Sequence, residues 1–202
     1  KRCCLLLMAG TLVLSAGADI VYFATVFALR AGEDRLEYVL YSGKSGITAV
    51  EADVFIDCTG DADIAYMAGA KTIKGRPEDN LMMPATLIMN IENVDTEAIL
   101  DYISAHNSPR FRTLIKDLRD KGEWSFPFDI FISMLMEREG YHMANTLRQV
   151  GIDGTDETSL TRGMIEGRIE NKKLFDIIQK RFPGYTRASI AATAETIGIR
   201  ET

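Results

Sequence analysis

The chain has 202 residues, 47% hydrophobic and 26% charged, the composition of a globular protein with material for one large domain or two small ones. Its net charge of −6 is spread along the chain without a basic stripe, which argues against nucleic acid or an anionic membrane surface as partner. The three cysteines are an adjacent pair that cannot easily bridge (Cys3, Cys4) and a distant Cys58; none has zinc-site spacing, so free thiols in a reducing, cytoplasmic setting are expected.

Lys1 to Ala18 admits two readings. Lys-Arg, an apolar run from Cys3 to Leu14 and then Ser15-Ala16-Gly17-Ala18 have the order of a secretory signal, which keeps the periplasm as the alternative location. The competing reading, which the family resemblance given below favours, is a buried helix from about Arg2 to Ser15, ended by Gly17; the apolar run is also shorter than the ~20 residues of a membrane span. Asp19 to Val26 is β-branched and aromatic, hence a strand. Arg35 to Ser42 and Ile47 to Val50 flank Ser42-Gly43-Lys44-Ser45-Gly46, whose glycines mark a hairpin turn. Gly43-Lys44-Ser45 looks like the end of a phosphate-binding P-loop, but Tyr38 stands where the first glycine belongs and a strand follows.

Asp53 to Cys58 then reads as a buried strand running into Thr59-Gly60-Asp61, with a short helix from Ala62 to Ala68. A strand that ends in a glycine turn and delivers a helix N-terminus is the arrangement of a nucleotide site. Gly60 permits a tight turn or close ligand approach, and Asp61 and Asp63 can cap the helix or accept hydrogen bonds from ribose hydroxyls. Alone, Thr-Gly-Asp is more often an ordinary Asp-capped turn.

Beyond Leu81 the pattern changes. Pro84 to Ile91 is a strand with Leu87, Met89 and Ile91 on one face. Asp95 to Ala105 and Pro109 to Lys121 are amphipathic helices, opened by Asp95 or Thr96 and by Ser108-Pro109. Ile130 to Met136 and Tyr141 to Arg148 form a hairpin about Glu137-Arg138-Glu139-Gly140. The longest helix spans about Leu160 to Arg181 and ends at Phe182-Pro183-Gly184; Gly163 and Gly167, four apart, imply something packed close against it. Asp153 and Asp156 read as turn and cap residues and His106 as a loop residue. His142 and Arg148, an even number apart, share a strand face and are candidates for substrate contact, with Asn145 on the other face; a solvated edge-strand pair is the plainer reading for His142, and the two readings balance for Arg148.

Five patches extend this picture: Thr59-Gly60-Asp61 with its helix, Lys74-Gly75-Arg76-Pro77, Asn145 to Asp156, Pro183-Gly184-Tyr185 and Gly198-Ile199-Arg200-Glu201-Thr202. In this order the chain, from about Ala16 onward, resembles the bacterial FAD-dependent oxidoreductases distantly like the fumarate reductase and succinate dehydrogenase flavoproteins. The resemblance implies α/β plus α+β architecture. Residues 1–78 would be part of an FAD-binding, Rossmann-like domain to which 188–202 return, and 79–187 an antiparallel-sheet-and-helices substrate domain. It implies FAD as cofactor, with Val26, Thr59, Gly60, Asp61, Asp63, Gly75 and Arg76 on the cofactor side and Arg148, Arg200 and His142 toward a small organic substrate held between the domains. For Val26 a plain strand residue serves as well, and for Arg200 a surface pair with Glu201. The G-x-G-x-x-G turn that opens such flavoproteins is absent and the first residue is Lys. The expectation is therefore an internal fragment of an enzyme that moves a hydride between flavin and substrate, inactive as this piece. The competing expectation is a non-catalytic packing or binding domain that holds no flavin. Oligomeric state stays open.

Overall fold

A computed structural model describes residues 2–200, with side chains from residue 8 onward, so Cys3 and Cys4 lie outside the described side chains. The chain is mixed α and β, and every strand pairing among the described residues is antiparallel. It divides into two compact units, one up to Ile73 and one from Lys74.

The first unit opens with Arg2–Ser15 (α1), a helix with the expected bounds but not a buried one: Met8, Leu12, Val13 and Leu14 are exposed. A three-stranded meander follows: Thr25–Ala31 (β1), Leu36–Gly43 (β2) and Gly46–Glu51 (β3), in the order β1-β2-β3. Gly43 and Gly46 close the β2–β3 hairpin as a register pair, with Lys44 and Ser45 at its tip. Two expected strands are corrected. The first strand starts at Thr25 instead of Asp19, because Phe23 takes a left-handed backbone (φ 57) that breaks extension. Residues 53–58 form no ladder with any described strand, and Val54 and Ile56 are exposed. An apolar, β-branched run becomes a buried strand only when neighbouring strands supply hydrogen-bond partners and cover. The short helix Asp63–Met67 (α2) follows and packs against β1. Val39, 7% exposed, is the one buried residue of this unit among those described.

The second unit carries the core. Its sheet has the order β5-β6-β4-β7, made of Ser133–Leu135 (β5), His142–Ala144 (β6), Met89–Glu92 (β4) and Ser189–Thr193 (β7). Leu87, Met89 and Ile91 are all buried, the period-2 face read from the sequence, and buried Ala85 extends it by one position. The ladder itself is shorter than Pro84 to Ile91; ahead of it single bridges join Ala85 to Gln149 and Thr86 to Gly198. The segment 188–202, assigned from the sequence to the first domain, contributes β7 to this second sheet.

Three helices pack on the core. Thr96–His106 (α3) is capped by Asp95, whose carboxylate accepts the Ala98 N–H at 3.0 Å. Arg112–Asp120 (α4) starts later than Pro109 because Phe111 adopts φ 57 and buries its ring. Glu157–Arg181 (α5) is capped by Asp156, which accepts from the Thr158 and Ser159 N–H groups. His106, expected in a loop, is the last residue of α3 and stacks on Tyr102. Phe111, Trp124, Phe131, Phe182 and Tyr185 form a contiguous aromatic cluster, and the indole N–H of Trp124 donates to Phe128 O at 2.8 Å.

Candidate functional site

The turn after residue 57 is held by two side chains. Asp57 accepts the Thr59 N–H with one carboxylate oxygen and the Ala65 N–H with the other, each at 2.9 Å. Thr59 Oγ1 accepts the Asp63 N–H at 3.0 Å. These bonds hold the Asp57 carboxyl below its usual range, the Thr59 backbone contribution being largest. Asp57 and Thr59 thus do the capping expected of Asp61 and Asp63, whose carboxylates are exposed. The consequence for ligand chemistry is direct. The α2 amides at 63 and 65 are already satisfied, so they are not spare donors for a phosphate, and the carboxylates of Asp57, Asp61 and Asp63 disfavour an anion there. Gly60 has φ 93 with open space where a Cβ would project. The turn is accessible to a neutral, hydroxyl-rich group.

Val26, half-buried on edge strand β1, pairs with Tyr41. The packing of α2 on β1 puts Val26 and the Thr59–Asp63 turn on adjoining elements. Gly75 and Arg76 belong to the second unit. A Cβ at Gly75 would run into the Asn80 backbone, so this glycine is required by the loop's own closure. Arg76 makes two 2.6 Å bonds to Asp79, a bidentate pair that depresses the Asp79 carboxyl.

Arg148 and Arg200 are brought to one strip of chain. The bridges Ala85–Gln149 and Thr86–Gly198 place residues 147–149 on one side of 85–86 and 198–200 on the other, and Thr86 Oγ1 also donates to Leu147 O. Both arginines are exposed. Arg148 has no ion-pair or hydrogen-bond partner among the described residues.

His142 departs from its expected place. It sits on an inner strand, 4% exposed, and does not share a face with Arg148: β6 ends at Ala144, and Thr146 and Leu147 are buried in succession, which breaks the alternation. Its Nε2 lies 3.1 Å from Thr96 Oγ1 and its Nδ1 3.0 Å from Ser133 Oγ. Both nitrogens are thus engaged internally, and burial lowers the pKa of the ring.

Other features had no local signal. Lys74 Nζ donates to Asp153 at 2.6 Å and to Thr155 Oγ1 at 2.7 Å, and Asp153 is brought down to about 2, chiefly by the Lys74 bond. The pair spans 79 positions, so no window of sequence displays it. Asp57 was more legible: Asp followed two residues on by Thr is an Asx-turn pattern, obscured by reading it as the end of a strand.

A family model described as FAD dependent oxidoreductase matches residues 4–202. The chain belongs to the FAD dependent oxidoreductase family. No curated protein and no solved structure gives a significant match. The family makes FAD the cofactor and flavin-linked redox chemistry the function. The residues present fit part of that cofactor. An exposed turn with a Cβ-free opening at Gly60 and acceptors at Asp61 and Asp63 suits the adenosine ribose, whose hydroxyls are donors, and disfavours the pyrophosphate. Among the described residues no helix is long and apolar enough to cross a membrane.

Proposed function

We propose that this chain is part of an FAD-dependent oxidoreductase that passes a hydride between the flavin and a small anionic organic substrate. The first unit contributes to a Rossmann-like FAD domain, with the backbone of Val26 near adenine and Thr59, Gly60, Asp61 and Asp63 at the ribose. FAD, when bound, supplies the hydride chemistry; the protein supplies binding and orientation. The observation that carries this reading is the open, carboxylate-bearing turn at Gly60 in a chain matching the family from residue 4 to 202. Gly75 and Arg76 remain candidates on the cofactor side, with Arg76 free to act only if it leaves Asp79.

Arg148 and Arg200, exposed on either side of residues 85–86, are the proposed substrate anchors. A guanidinium can hold a carboxylate with two parallel hydrogen bonds and offset negative charge that develops beside a reduced flavin. His142 has both nitrogens occupied and is proposed to act through Thr96 and Ser133, not by touching substrate.

The test is flavin titration followed by visible absorbance and fluorescence quenching. Asp61→Ala should weaken FAD roughly 10- to 100-fold, since a hydrogen bond to a charged group contributes about 1.5–3 kcal/mol. FMN, which lacks the adenosine, should be unaffected. Equal weakening of both flavins, or none of FAD, would remove the turn from the cofactor site. Failure of the natural protein to take up any flavin would favour the non-catalytic reading.

A further inference from the structure

Tyr185, Ser133, His142 and Thr96 form one hydrogen-bonded chain through the second unit. Tyr185, fully buried, donates its phenol hydrogen to Ser133 Oγ at 2.8 Å. Ser133 Oγ lies 3.0 Å from His142 Nδ1 and Thr96 Oγ1 lies 3.1 Å from Nε2; a neutral ring protonated on Nε2 lets Ser133 donate to Nδ1 and the ring donate to Thr96. Thr96 is the first residue of α3 and lines a shallow recess of about 710 Å³ with Asn93, Glu97, Glu139, Gly140 and Arg187.

The chain has a direction, and a proton would destroy it. Doubly protonated imidazole has two donors and no acceptor. Nδ1–H would point at Ser133, whose own hydrogen has been pointing back at the same nitrogen. Either Ser133 or Tyr185 must rotate, and one hydroxyl hydrogen then loses its acceptor within the chain. A buried donor without an acceptor is costly, and so is a cation in the packed sheet. The charged groups on the surrounding elements do not relieve it. Glu92 on β4 is bonded to Arg138 of the β5–β6 turn, Asp95 caps α3, and Glu97, Glu139 and Arg187 line the recess; none bonds to the ring. Tyr185 cannot serve as a proton source instead, because burial pushes its phenol up and it would be left as a buried phenolate.

We infer that this chain is a proton-operated latch: when His142 takes up a second proton, the bonds joining β6 to β5 and to the first turn of α3 give way and the recess lined by Thr96 loosens. The latch is closed in neutral solution and opens in mild acid.

The experiment is nuclear magnetic resonance of the 202-residue chain from about pH 7.5 to about pH 5, within the range where histidine titrates. Two results are expected of the natural chain: an Nε2–H tautomer for His142, and loss of amide protection at Ala98 and Ile99, whose N–H groups bond to Asp95, as pH falls, on the order of tenfold per unit by which the His142 titration lies below that of a free histidine. In His142→Gln that acid-dependent loss should vanish. In Tyr185→Phe, which folds around the same ring and removes the donor that orients Ser133, the His142 titration should move upward. A residue that merely fills space would not produce that shift. An Nδ1–H tautomer, an unshifted titration in Tyr185→Phe, or the same acid-dependent loss in His142→Gln would each overturn the inference. Should His142→Gln fail to fold, the tautomer and the Tyr185→Phe titration decide it.

Discussion

A Cβ on Gly167 would lie 3.0 Å from the Gln149 carboxamide oxygen, which is also a buried polar atom without a hydrogen-bond partner among the described residues. The Gln149 Nε2 is fixed by donation to Gly163 O at 2.8 Å, so the amide cannot swing away freely. The same Cβ would also meet Leu87 Cβ at 3.2 Å, an atom anchored to the chain that leads into β4. One turn earlier, at Gly163, the neighbours are the methyl ends of Ile197 and Ile152, at 2.8 and 3.1 Å, which can rotate. Alanine gains about 1 kcal/mol over glycine inside a helix, while overpacking costs about 1–3 kcal/mol where the surroundings cannot yield. Gly167→Ala should therefore lower stability by up to about 2 kcal/mol, and by more than Gly163→Ala, which should stay within about 1 kcal/mol of the natural chain. Urea denaturation of both variants measures the difference, and the reverse ranking would contradict the packing.

That close contact was legible in the sequence, because two glycines on a long helix already imply something pressed against it. The β4 face and the Asp95 and Asp156 caps were legible for the same kind of reason: each is governed by residues within a few positions. The strand expected at 53–58 was not, since strand formation depends on a partner elsewhere in the chain. Arg148 and Arg200 illustrate the middle case. Their residue types pointed to an anion, but only the bridges from Ala85 and Thr86 bring two segments so far apart in sequence to one strip.

Asp57 gives a prediction about local order. Its two oxygens hold Thr59 and Ala65, so Asp57→Ala should speed amide exchange at Thr59, Asp63 and Ala65 while leaving amides of β2 unchanged. In the natural chain the carboxyl titrates below 3.8. A folded-state value below the unfolded one means the stabilisation is complete above that pH and is lost as pH falls through the lowered value. Unchanged exchange in the variant would show that the turn is held by its backbone alone.

The Lys74–Asp153 pair is checked by removing the cation. Lys74→Met keeps the aliphatic stem and should let the Asp153 carboxyl rise from about 2 toward 3.8, since the Lys74 hydrogen bond is the largest cause of its depression. The sign is that of a lowered carboxylate: the stabilisation is present above 3.8 and disappears between 3.8 and about 2 as pH falls. Both side chains are partly exposed, so the effect on total stability should be small and weaken with salt. Carbon-detected titration of Asp153 reads the shift; an unmoved midpoint would mean Thr155 alone holds the carboxylate down.

The uneven distribution of core between the two units leads to the sharpest contrast. Ile178 on α5 has no exposed surface and belongs to the cluster that includes Phe182 and Tyr185, whereas Ile56 is 82% exposed. Truncating a fully buried isoleucine costs about 2–5 kcal/mol through lost burial and the cavity left behind. Substituting an exposed one away from any special contact changes stability by about 0.5 kcal/mol or less. Ile178→Ala should therefore shift the denaturation midpoint strongly, seen both by circular dichroism and by fluorescence of Trp124, which packs against Phe182. Ile56→Ser should leave both transitions where they are and improve solubility, because it removes an apolar side chain from the surface. If Ile56→Ser were as damaging as Ile178→Ala, the 53–58 segment would have to be packed in solution, and the strand read from the sequence would be restored.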